Sequence, residues 1–457
     1  MPSVLPAGPY RVITSVDSTD VPYYVIPFDK DGICEGPRTR DHLVAHAAHY
    51  RDIYVFSHGW NNDWAAATEL YESFIEGVQS LRRDLKLPMP EDYKPLLVGV
   101  FWPSQALAWF ESEVGPGFAS ANLQAQGAAV EAEQMLLRDV AQSLPLSARA
   151  RFHELAHAST VTTAQAQELA AMLVGSVGAD DELGAGAPAA ADLLAAAAAL
   201  ATPEPTEDDV GTVGSATKVS GPSSADWQGV LSKLAVLDPR HVIKPFTVRQ
   251  MKDRAGVVGH EGLAPLLQAL LTAAPEARVH LIGHSYGCKV LLTALCAQPA
   301  DTRGVESALL LQPAVSQYAF ATDFPGGTGP GGFHSALGRV RQPICATYSA
   351  HDAPLTRMYH LALRRSSDFG ELQYAGEGST PSRYAAMGGF GPQAAGARFQ
   401  GIEDVGVHYD FQPSGRRAPS TAHERSWATA TSARPLPGGS ACSWRRHTLR
   451  RPADCHG

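Results

Sequence analysis

Apolar residues recur along this chain with two periods, and the alternation between them lays out the elements. Short β-branched, aromatic and aliphatic runs at 21–27, 52–57, 96–102, 279–282, 308–311 and 344–348 read as strands. The period turns helical over about 64–81, 263–273 and 288–295. Strands alternating with helices predict an α/β chain with a mostly parallel sheet and helices on both faces. Pro22 and Pro27 mark the first run as an edge strand, because a proline cannot donate to a ladder.

The alternation breaks between residues 104 and 246, which are alanine-rich and helical in character, 189–201 most clearly. Within them a polar stretch, 203–226, reads as a flexible linker. The expected layout is a first core part at 1–103, a helical insertion at 104–246, a second core part at 247–413 and an irregular tail at 414–457. Residues 325–332, with five glycines, read as a loop.

Composition narrows the class. The chain has 457 residues, 44% of them hydrophobic and 18% charged, enough for a large globular core. A formal net charge of -9 gives no electrostatic reason to expect nucleic acid, so a small neutral molecule is the expected partner. The first residues lack a basic segment followed by an apolar one, and no window reaches membrane-spanning length, which predicts a soluble, cytoplasmic protein with no membrane span. Cys34, Cys288, Cys296, Cys345, Cys442 and Cys455 have no C-x-x-C spacing, and no H-E-x-x-H occurs. Neither a metal nor a cofactor is therefore expected, and Asp29-Lys30-Asp31-Gly32 reads as a turn.

The chemistry concentrates at Gly283-His284-Ser285-Tyr286-Gly287, a serine between a strand and a helix. So tight a turn holds its central residue in a strained conformation with the hydroxyl displayed, which makes Ser285 the candidate nucleophile. His284 is expected to point away and pack. A serine needs a base, and the base needs an orienting acid. Asp352, on the loop after the strand at 344–348, is the acid candidate; Asp323 and a helix-capping role for Asp352 are the competing readings. His58-Gly59-Trp60 also follows a strand and precedes a helix. The backbone N–H groups of Trp60 and Tyr286 are the expected oxyanion hole, and the bland alternative for His58 is a turn histidine.

On His58-Gly59-Trp60, Gly283 to Gly287 and Asp352, in that order, the chain resembles the α/β-hydrolase family, particularly bacterial serine esterase- or lipase-like members with a helical cap inserted in the core. The resemblance covers about residues 10–409. It implies an α/β-hydrolase fold and a Ser-His-Asp enzyme that cleaves carboxylic esters through an acyl-enzyme, the cap shaping an apolar acyl pocket. Acyl transfer and a non-catalytic binding role share the same residues.

The base is where the chain departs from the family. His408 follows an apolar triplet at 405–407, and His423 lies in Thr421-Ala422-His423-Glu424; these two share the assignment. His351 and His360 stand too close to Asp352. From about Ala418 the tail, rich in Arg, Ser, Pro and Thr, reads as a frame-shifted translation of a GC-rich gene. Read from each codon's third base, synonymous codons for 427–439 can spell G-H-G-D-V-S-T-P-A-T-W-W, a histidine loop and a helix start.

Overall fold

The computed structural model describes residues 5–14, 20–87, 89–104, 126–179, 182–184, 186–201, 237–327, 329–352, 354–363, 383–402 and 427–431. Among them, β1 (Arg11–Thr14), β2 (Asp20–Pro27), β3 (Asp52–Ser57), β4 (Pro95–Phe101), β5 (Arg278–His284), β6 (Ser307–Leu311), β7 (Cys345–Tyr348), β8 (Ala397–Gly401) and β9 (Trp427–Thr431) form one sheet. Its order is β1-β2-β4-β3-β5-β6-β7-β9-β8. Only β1 and β2 pair antiparallel; every other neighbouring pair is parallel.

Two expectations change here. The first strand run is not an edge, since β2 lies between β1 and β4. Its prolines are tolerated for a related reason: β1 pairs with residues 20–23 and β4 with residues 23–27, so Pro22 and Pro27 each face a ladder on one side only. The tail, in turn, is not wholly irregular. Trp427-Ala428-Thr429-Ala430-Thr431 alternates an aromatic or β-branched residue with alanine, a strand pattern, and it forms β9 between β7 and β8.

Among the described residues the α-helices are α1 (Pro37–His46), α2 (Trp64–Asp84), α3 (Gln126–Ser143), α4 (Leu146–Ala156), α5 (Thr163–Val174), α6 (Ala190–Ala201), α7 (Arg240–Val257), α8 (Ala264–Ala273), α9 (Tyr286–Cys296), α10 (Tyr359–Leu363) and α11 (Met387–Phe390). Asp63 caps α2 by accepting the Ala66 N–H at 2.7 Å. One face of α2 lays Ala67, Tyr71 and Ile75 on Tyr23, Val25, Phe56 and Leu97. The alternate strand residues, among them Tyr24, Ile26, Val55 and Val98, point to the opposite face and join the core of α8 and α9. Both faces are thus covered, which is why the strands read as continuous apolar runs.

Helices α3–α6 leave the sheet after β4, and the chain returns through α7. Phe152, Leu169, Leu173 and Leu193 share one core with Phe246 and Met251 of α7 and Leu291 of α9. Helix α7 runs unbroken through residue 246, where the sequence suggested a boundary, and is buried along most of its length despite Lys244, Arg249, Lys252 and Arg254. A buried charge needs a counterpart. Glu182, just before α6, supplies one: its carboxylate lies 3.4 Å from Lys252 Nζ and 3.3 Å from Lys289 Nζ and accepts the Ser316 N–H at 2.7 Å. The insertion is thereby pinned to α7 and to α9. No helix among the described residues is long and apolar enough to cross a membrane.

Candidate active site

Because β3, β5, β6 and β7 run parallel, their carboxyl ends meet at one edge of the sheet, the place where open α/β sheets bind ligands. Ser285 stands there between β5 and α9, with φ 54° and ψ -122°. A non-glycine residue in such a conformation costs about 1–3 kcal/mol and persists only if its surroundings fix it. Here they do: the Ser285 N–H donates to Leu311 O of β6 at 2.9 Å, and its carbonyl accepts from Cys288 at 3.1 Å and Ala314 at 3.2 Å. The flanking glycines are required by contact. A Cβ at 283 would lie 2.8 Å from the Cys288 backbone, and one at 287 would collide with the carbonyl oxygens of Ser57 and His58.

The loop after β3 comes close to the serine. A Cβ on Gly59 would be 2.8 Å from Ser285 Cβ and 3.0 Å from His284 O, so this loop lies against the turn and Trp60 follows it. Tyr286 opens α9; its N–H is one of those a helix cannot satisfy internally and stands at the positive end of the helix dipole. The rings of Trp60 and Tyr286 meet edge to face at 5.9 Å.

His58 is fully buried and stacked on Trp102, ring centroids 5.4 Å apart. One neutral tautomer serves both ring nitrogens: Nδ1–H donates to Gly59 O at 2.9 Å, with the Ser104 hydroxyl 3.4 Å from the same nitrogen, and Nε2 accepts the Trp102 N–H at 3.2 Å. Burial pulls its pKa down to about 4, so it supports the loop rather than moving a proton. His284 is pulled down to about 4 for the same reason, and its Nδ1 is buried without a hydrogen-bond partner among the described residues.

Asp352 follows β7. Its Oδ2 accepts Gln312 Nε2 at 3.0 Å and its Oδ1 accepts the Leu355 N–H at 3.1 Å, so the competing capping role is present in the same carboxylate. Burial pushes its pKa up to about 6, with the Leu355 N–H pulling the other way. Gln312 directly follows Leu311, the residue that holds the Ser285 N–H, and so connects the acid to the serine through the end of β6. Asp323, by contrast, is exposed and bonds the neighbouring Phe324 N–H.

His408 and His423 lie outside the described residues; His351 is exposed on the loop before Asp352. The structure adds Gln312, Asn62 and Ser104 to the neighbourhood, none of which the sequence singled out. Gln312 had one available signal, a polar residue directly after an apolar strand, as Asp352 has. Among the described residues no group of three or more His, Cys, Asp or Glu is arranged to hold a metal ion. No protein-family model matches the chain, and no curated protein or solved structure is significantly similar to it.

Proposed function

We propose that this chain has an α/β-hydrolase fold and cleaves carboxylic esters of small acyl or lipid molecules through an acyl-enzyme on Ser285. The observation that carries the reading is the strained Ser285 backbone, held between β5 and α9 with Gly59 against its Cβ. A histidine base takes the Oγ proton as the oxygen attacks the ester carbonyl. The Trp60 and Tyr286 N–H groups receive the oxyanion, and the alcohol leaves with the proton. Water then repeats the sequence on the acyl-enzyme. Asp352, ionised above about pH 6, orients the histidine and stabilises its charged form.

The base comes from His408, from His423 or from the histidine loop of the alternative reading frame. A second reading, a catalytically impaired binding protein, is favoured by one observation: Gln312 and Leu355 already satisfy the Asp352 carboxylate. Hydrolysis of a p-nitrophenyl ester series by this chain, by Ser285→Ala and by a frame-repaired chain separates the two. The esterase reading expects activity that disappears in Ser285→Ala and rises by several orders of magnitude on repair if the base is missing. Equal rates from all three would remove Ser285 from the mechanism, and no hydrolysis by any would favour the binding role.

A further inference from the structure

An oxyanion donor works only if it is aimed before the charge develops. A trans peptide carries its C=O and N–H on opposite sides, so the direction of the Trp60 N–H is set by whatever holds the Gly59 carbonyl. That carbonyl is held twice, by His58 Nδ1 at 2.9 Å and by Asn62 Nδ2 at 3.1 Å. The same Asn62 nitrogen also reaches Trp60 O at 3.0 Å, so one side chain spans both peptides of the turn.

Asn62 is itself seated. Its N–H donates to Ser104 Oγ at 3.2 Å, the Ser104 hydroxyl lies 3.3 Å from Asn62 O, and the Asn61 N–H donates to Ser104 O at 2.6 Å. Ser104 is completely buried, and Asn61, at φ 61°, makes the bend that turns the chain back toward it. His58 is likewise fixed from Trp102. Both arms of the brace therefore rest on the segment that leaves β4, behind the loop, while Gly59 faces Ser285 on the other side.

From this geometry we infer that Asn62, seated by Ser104, is a positioning residue that locks the Gly59–Trp60 peptide and aims the Trp60 N–H away from the β4 segment, toward the oxyanion. The chemical use of the brace rests on the esterase reading; the brace itself does not.

Gly59–Trp60 is the sole Gly-Trp pair in the sequence. Labelling glycine with carbon-13 at the carbonyl and tryptophan with nitrogen-15 therefore isolates this one peptide by NMR. In Asn62→Ala its correlation peak is expected to shift and broaden, and in Ser104→Ala to move less in the same direction. Affinity for phenylboronic acid, which forms a tetrahedral adduct with an accessible serine, is expected to fall about 10-fold or more in Asn62→Ala, a share of the 10²–10³ that loss of an oxyanion donor costs. An unchanged peak in Asn62→Ala overturns the brace, and a changed peak with unchanged boronate affinity overturns its positioning role. A frame-repaired chain that binds the boronate no better than its own Ser285→Ala variant refutes the esterase reading, and the peak still decides the brace.

Discussion

Burial sets the protonation of the groups around Ser285 in opposite directions. His58 and His284 stay neutral down to about pH 4, whereas Asp352 keeps its proton up to about pH 6. For Asp352 the sign follows from linkage: the unfolded chain releases this proton near 3.8 and the folded one near 6, so ionisation costs stability across that window and the full cost stands above it. The stability of Asp352→Asn relative to the parent should therefore rise by about 2–3 kcal/mol between pH 4 and pH 8, whatever the fixed loss from the one donor that an amide cannot accept; thermal unfolding at several pH values checks it. Gly59→Ala should cost about 1–3 kcal/mol by urea unfolding and displace the loop from Ser285, because the added methyl meets Ser285 Cβ and His284 O. Gly77→Ala, inside α2 where a Cβ would meet nothing, should instead stabilise by about 0.5–1 kcal/mol. The serine, its glycines and the loop at 58–60 were legible in the sequence because each is a local turn between a strand and a helix. The Gln312–Asp352 bond was not, since it joins residues 40 apart that only the β6–β7 pairing brings together.

At the level of elements, the ion cluster around Glu182 decides how the insertion sits. Removing one member of a buried ion group leaves the others uncompensated, and that costs more than the intact group contributes. Glu182→Gln is expected to lower stability by about 3–5 kcal/mol in urea unfolding, because two buried lysines lose their carboxylate. Glu168→Ala, which removes the exposed pair with Arg151, should change it by no more than about 1 kcal/mol. The strands of the core were readable because burial on both faces makes them continuously apolar. The extent of α7 was harder to read: its buried face carries Lys244, Arg249 and Lys252, which look like a solvated face until Glu182 is seen beside Lys252. Strand β9 was obscured by the arginine-, serine- and proline-rich residues around its five-residue alternation.

For the whole molecule, the sheet order brings the ends of β3, β5, β6 and β7 to one edge, so an elbow serine, a braced loop and a half-buried carboxylate gather there from residues far apart in sequence. That convergence is a stronger reason to look for hydrolysis than the pentapeptide alone, because the strain at Ser285 is maintained by bonds from β6 and from the chain beyond it. The most direct test of Ser285 as an activated nucleophile is labelling with a fluorophosphonate, read by intact mass and peptide mapping, on this chain and on the frame-repaired chain. The account predicts a single phosphonyl adduct on Ser285, absent from Ser285→Ala, in the repaired chain at least. An adduct elsewhere, an equal adduct on Ser285→Ala, or none on either chain would contradict it.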